Sequence, residues 1–153
     1  MPYPKAFRRN ALQQVCPEHE EEVTDMTKIL LADDDEMNRD ILSRRLQRNG
    51  YEVVMAVDGK QAVAMVKSER PDLILMDMNM PVLDGWEATK YLKSDNDTKD
   101  IPLIIMSGHA LESFRESAFN AGCDDFEIKP ADFPRLLTKI ERQLHKNQRS
   151  AEL

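Results

Sequence analysis

Five short apolar runs, each followed by a stretch whose apolar residues recur at helical spacing, limit what this chain can fold into more than any other feature. The runs are KILLA at 28–32, EVVMA at 52–56, DLILM at 72–76, PLIIM at 102–106 and DFEI at 125–128. Such lengths suit strands, and a strand that is apolar at nearly every position has both faces covered. The stretches between them predict helices over 36–49, 59–67, 85–93, 111–121 and 132–145. The last carries Phe133, Leu136, Leu137, Ile140 and Leu144 on one face, an apolar stripe that must meet a core. Chain-breaking Gly50, Gly59, Pro71, Gly85, Pro102, Gly122 and Pro130 fall at or near the boundaries. The alternation implies an α/β fold, a doubly wound parallel sheet of five strands with helices on both faces, and right-handed crossovers leave few topologies.

In such open sheets ligands bind beyond the carboxyl ends of the strands. Asp33 and Asp34 follow the first run, Asp77 the third, Ser107 the fourth and Lys129 the fifth. Asp33, Asp34, Asp35 and Glu36 are consecutive acids that repel one another, so a cation or hydrogen-bond donors must compensate them. A donor set of oxygens, with no His or Cys near it, suits a hard cation such as Mg²⁺. Asp35 and Glu36 have a plainer use at the positive end of the first helix, and Asp84 before Gly85 reads as an N-cap or turn residue. Trp86 reads as a partly buried anchor, and Met76, Met78 and Met80 as core and loop filler. His19, His109 and His145 are too scattered for a zinc cluster.

A net charge of −7 disfavours direct nucleic-acid binding, which needs Lys and Arg on phosphates. Cys16 and Cys123 do not make a disulfide framework, so a reducing, cytoplasmic setting is expected. The longest apolar run, LILM, falls far short of the roughly 20 residues of a membrane helix, so no membrane segment is expected. Residues 1–27 are expected to be a flexible extension, with Phe7, Ala11, Leu12 and Val15 at helical spacing as the alternative, a short docking helix.

The stretches ILLADDDEMNR, PDLILMDMNMPVLDG, PLIIMSGHA and DFEIKP come in order, each at a strand end. Through them the chain from about Thr27 to His145 resembles the receiver domain of two-component response regulators, of the stand-alone type found in chemotaxis regulators. The resemblance implies a flavodoxin-like sheet of order 2-1-3-4-5 and a receiver domain at 28–146 with a tail at 147–153. By the same resemblance Asp77 is the phosphoacceptor, Asp34 binds Mg²⁺ directly, with Mn²⁺ as a second candidate, and Asp33 holds the metal's shell through water. Asn79 offers its backbone carbonyl to the metal, and Ser107 and Lys129 each meet a phosphoryl oxygen. The Lys129–Pro130 peptide is implied to be cis. Phe126 stands at the switch position of the fifth strand, where some relatives have Tyr, so the switch lacks a hydroxyl. Gly108 departs from the commoner Ala and is expected to loosen its loop, with His109 near the site mouth.

The function implied is a phosphorylation switch and not a turnover enzyme. Its donor is a sensor histidine kinase or histidine phosphotransfer protein, and its output is binding to another protein, as a monomer or a phosphorylation-dependent homodimer. After the fifth helix only KNQRSAEL remains, so the output is expected on another chain. A phosphorelay intermediate, or the receiver portion of a hybrid histidine kinase, would use the same residues. A rival from another class is a phosphatase of the haloacid dehalogenase type, which would make Asp33 the nucleophile; its signature Asp-x-Asp-x-Thr or Val is not matched, since Met37 follows Glu36. Flavin binding is disfavoured because an acidic run after the first strand repels phosphate.

Overall fold

The computed structural model describes residues 26–80, 82–108 and 112–152, with side chains described as far as 146. Five strands, β1 (Lys28–Ala32), β2 (Glu52–Ala56), β3 (Leu73–Asp77), β4 (Leu103–Ser107) and β5 (Asp125–Ile128), alternate with five helices. The helices are α1 (Glu36–Arg48), α2 (Gly59–Glu69), α3 (Gly85–Ser94), α4 (Glu112–Asn120) and α5 (Phe133–Glu152). The strands form one parallel sheet in the order β2-β1-β3-β4-β5.

Successive residues of a strand face opposite sides, and here both sides are covered. Ile29 and Leu31 of β1, Leu73 and Leu75 of β3, and Ile104 and Met106 of β4 pack with Leu46 of α1 and Leu136 and Ile140 of α5. Leu30, Ile74, Met76, Leu103 and Ile105 pack with Ala62 and Val66 of α2, Ala88 and Leu92 of α3, and Ala118 of α4. This two-sided burial is why the runs of β1, β3 and β4 read as continuous apolar text, whereas the edge strand β2 leaves Met55 exposed. Each fully buried Leu or Ile contributes about 1.5–3 kcal/mol before the cost of ordering it. Among the described residues no helix is long and apolar enough to cross a membrane.

Helix starts use the acids the sequence offers. Asp35 caps α1 by accepting from the Met37 and Asn38 amides, Asp58 caps α2 through the Gln61 amide, and Asp84 caps α3 through the Glu87 amide. Asp132, expected inside the last helix, precedes it and accepts from the Arg135 amide. That helix, expected to end at 145, runs on to Glu152, because Lys146–Ser150 holds no Gly or Pro to stop it. The expected extension and docking helix fall almost wholly in residues 1–25, which, like Leu111, lie outside the described residues.

Strand ends differ from expectation by one residue at two places that matter. Asp77 and Ser107 are the last residues of β3 and β4, not the first beyond them, because ladder pairing extends to Asp77↔Met106 and Ser107↔Ile128. Both side chains are therefore held by sheet geometry.

Candidate functional site

The carboxyl ends of β1, β3 and β5 bring three acids and one ammonium together. Carboxylate oxygens of Asp33, Asp34 and Asp77 lie within 4.8 Å of one another. The Lys129 ammonium sits among them, 3.0 Å from Asp33 Oδ2 and 3.1 Å from Asp77 Oδ1. Part of the compensation that the acid run requires is thus internal. The remaining excess of negative charge, borne on oxygens alone, fits a hard divalent cation, for which Asp33, Asp34 and Asp77 are the candidate holders.

Asp77 is only 5% exposed. Burial pushes its carboxyl up to about 6; Lys129 opposes that shift, and the neighbouring charges of Asp33 and Asp34 add to it. Lys129 is raised: its own burial works against the ammonium, but hydrogen bonds and charge from Asp33 and Asp77 outweigh that. At neutral pH the site therefore holds an ammonium and a mostly ionised Asp77, the state a nucleophilic carboxylate needs.

Two glycines set the backbone around Asp77. A Cβ at Gly85 would lie 2.0 Å from the Asp77 carbonyl oxygen, and one at Gly59 would lie 1.8 Å from that of Leu83. Only glycine lets the starts of α2 and α3 close on the loop that follows β3, and the Gly85 amide then donates to the Met78 carbonyl at 2.9 Å. Within that loop Val82 has a positive φ of 68°.

Comparison with known proteins places this arrangement. The model of the response regulator receiver domain matches residues 29–141. The chain belongs to that family. It is 37% identical over 119 residues to response regulator MprA of Mycolicibacterium vanbaalenii, covering 78% of this chain and 51% of that protein. It is 32% identical over 116 residues to the polar-differentiation response regulator DivK of Brucella anthropi, covering 76% of this chain and 94% of DivK. The chain thus spans about half the length of the MprA proteins it matches and nearly all of DivK. Among solved structures, Vibrio cholerae chemotaxis protein CheY4 is similar at a TM-score of 0.72 and 32% identity, over 76% of this chain and 98% of that one. The receiver domain of a Pseudomonas aeruginosa sensor histidine kinase, with a magnesium ion coordinated in its active-site cleft, is similar at 0.74 and 33%, over 78% and 98%.

The other expected site residues, where described, lie on β4, on β5 and in the loops that follow β3 and β4. Ser107 is fully buried, and its carbonyl accepts from the Lys129 amide at 2.7 Å, so β4 and the end of β5 are tied beside Asp77. Asn79 is exposed, two residues beyond Asp77 in the loop to α3. The Lys129–Pro130 peptide is cis. Phe126 is buried on the α2–α4 side of the sheet. Trp86, as expected, is partly buried, and it packs against Phe114 at 6.2 Å between ring centroids. Gly108 is exposed with open space around it; His109 lies outside the described residues.

Two features were not foreseen. Arg39 reaches back from α1 to donate to the Asp33 carbonyl at 2.6 Å. Glu127, beside Phe126 on β5, is fully buried yet charged, with Arg135 Nη2 at 2.7 Å and Lys139 Nζ at 2.9 Å. Burial alone would raise its carboxyl; the hydrogen bonds and charges of Arg135 and Lys139 hold it below the usual range instead. Lys139 also donates to the Phe126 carbonyl, so α5 grips β5 through ions as well as through apolar contact. The one sequence signal was a pair of cations one helical turn apart, at 135 and 139, beside the apolar stripe.

Proposed function

We propose that this receiver takes a phosphoryl group on Asp77 from the phosphohistidine of a sensor histidine kinase or a histidine phosphotransfer protein, and signals by phosphorylation-dependent binding to another protein. The observation that carries this reading is the Asp77 carboxylate, buried at the end of β3 with Lys129 Nζ 3.1 Å away and two further carboxylates in reach. In the transfer an Asp77 oxygen forms a bond to phosphorus while the phosphorus–nitrogen bond breaks, and the departing imidazole takes up a proton. Mg²⁺, held by Asp33, Asp34, Asp77 and the Asn79 carbonyl, would neutralise charge on the phosphoryl oxygens.

The chain's own groups do the rest. Lys129 is already ionised and close, and it can pass from the Asp77 carboxylate to a phosphoryl oxygen at little cost in position. Ser107, fixed by the last rung of β4, supplies a hydroxyl beside it. The product adds between about 1.5 and 2 negative charges to an acidic pocket, which is the driving force for rearrangement. With Phe126 in place of a Tyr, the rearrangement works by packing alone. This chemistry makes the protein a phosphoacceptor switch and not a turnover enzyme. Buried Cys123 stands apart from this chemistry, its thiol pushed up to about 12 chiefly by burial.

A relay role, or a place within a hybrid kinase, uses the same chemistry; similarity to the receiver domains of sensor kinases keeps both in view. The phosphatase reading, with Asp33 as nucleophile, is set aside, because both Asp33 oxygens are engaged, by the Asp35 amide at 2.9 Å and by Lys129. Borohydride reduction of the phosphorylated protein converts an aspartyl phosphate to homoserine, which peptide mass spectrometry locates. Homoserine at position 77 is expected, and homoserine at position 33 would overturn the assignment.

A further inference from the structure

We propose that Arg39 is a positioning residue for the acid cluster, fixing the Asp33–Asp34 peptide and thereby the place from which the Asp34 carboxylate reaches the cation. The inference rests on the phosphoacceptor reading above and goes beyond it, because Arg39 touches only the main-chain carbonyl of Asp33 and not the carboxylates assigned there to the metal.

Asp33 is held at every polar atom. Its amide donates to the Ala56 carbonyl at 3.1 Å, Oδ1 accepts from the Asp35 amide at 2.9 Å, and Oδ2 accepts from Lys129 at 3.0 Å. The fourth contact is the Arg39 guanidinium on the carbonyl oxygen, at 2.6 Å and partly buried. A charged donor on a carbonyl makes a short, strong bond. The carbonyl of Asp33 and the amide of Asp34 share one planar unit, so holding the first fixes the orientation of the second.

Asp34 depends on that hold. Its carboxylate is exposed, unlike those of Asp33 and Asp77, yet its oxygen lies within 4.8 Å of theirs, close enough for the three to share one cation. A mobile peptide at this point would let three repelling carboxylates drift apart, and the repulsion itself would favour that drift. Arg39 is well placed to prevent it from one turn into α1, where its own amide already donates to the Asp35 carbonyl at 3.0 Å. Helix and loop are thus tied by both the main chain and the side chain of one residue.

The test compares wild type, Arg39→Gln and Arg39→Lys in the full chain. Three quantities are read: Mg²⁺ affinity by calorimetry, the exchange rate of the Asp35 amide in metal-free protein, and the melting temperature. Loss of a group that orients a metal ligand typically weakens binding by about tenfold or more. Arg39→Gln is expected to weaken Mg²⁺ binding by that factor and to speed Asp35 exchange, while exchange across β1 and β3 stays slow. Arg39→Lys, which keeps a charged donor, is expected to recover part of both. Unchanged affinity and unchanged Asp35 exchange in Arg39→Gln would overturn the proposal, as would equal acceleration of exchange throughout the sheet, the sign of a merely structural role. A wild type that binds no Mg²⁺ would sink the phosphoacceptor reading instead, and the metal-free exchange would still decide whether Arg39 holds the loop.

Discussion

The Lys129 ammonium lies 3.1 Å from the Asp77 carboxylate and, through the same nitrogen, 3.0 Å from Asp33. One cation therefore serves two acids, and burial still pushes the Asp77 carboxyl up to about 6 despite Lys129. Removing its charge should not hurt the fold. In metal-free protein, Asp77→Asn is expected to melt level with or above wild type at pH 7. Because folding raises the Asp77 carboxyl from 3.8 to about 6, folded wild type binds more protons than unfolded chain in that window, and its stability falls as pH rises through it. Melting temperatures of the two proteins should diverge over that interval, the variant gaining. A large loss of stability in Asp77→Asn would contradict the repulsion argument.

Glu127 has the opposite sign. Its carboxyl is held below its usual 4.5 in the fold, so its contribution is present above that value and lost as pH falls through the lowered one. Breaking a buried ion pair on one side typically costs about 3–5 kcal/mol, less here because Arg135 is 53% exposed and can turn to water. Glu127→Ala is expected to cost about 2–3 kcal/mol by urea unfolding. Glu127→Leu refills the volume but likewise leaves Lys139 and Arg135 without their acid, so it should recover only part of that loss and lack this acid-dependent component. A Glu127→Ala variant as stable as wild type would show that α5 is held by apolar packing alone.

Gly85 has no room to change. The clash of its added Cβ would be with the Asp77 carbonyl oxygen, and neither partner can yield without moving backbone. Gly85→Ala is expected to cost about 1–3 kcal/mol, the range for overpacking, and to slow phosphorylation of Asp77. Urea unfolding and the rate of phosphorylation by acetyl phosphate measure the two effects. An unchanged rate at reduced stability would separate Gly85 from the positioning of Asp77.

Val82 should be improvable. It is 78% exposed with φ at 68°, so a β-branched residue holds a left-handed conformation and buries little in return. Val82→Gly relieves about 1–2 kcal/mol of strain and gives part of it back as chain entropy. A net gain of up to about 1 kcal/mol in thermal unfolding is expected. Destabilisation would mean that the Val82 side chain makes contacts its exposure conceals.

The sheet was legible because burial on both faces leaves a one-dimensional trace: KILLA, LILM and LIIM read as strands whatever their neighbours do. Asp33, Asp34, Asp77 and Lys129 were legible because a parallel sheet brings strand ends together, and charges there stand out against apolar text. Strand limits were less so, since Asp77 and Ser107 belong to the ladder through backbone pairing that hydropathy does not encode. Glu127 was hidden because its neutralising partners lie 8 and 12 residues on, across a turn into α5. Arg39 was hidden because its partner is a carbonyl oxygen, a group every residue has.

Intact-mass spectrometry after incubation with acetyl phosphate bears most directly on the role of Asp77. Wild type with Mg²⁺, wild type with a chelator, and Asp77→Asn with Mg²⁺ are compared. One added phosphoryl group in the first sample and none in the other two is the expected result. Equal phosphorylation of Asp77→Asn would contradict the assignment of the acceptor, and equal phosphorylation in the chelator would remove the metal from the chemistry.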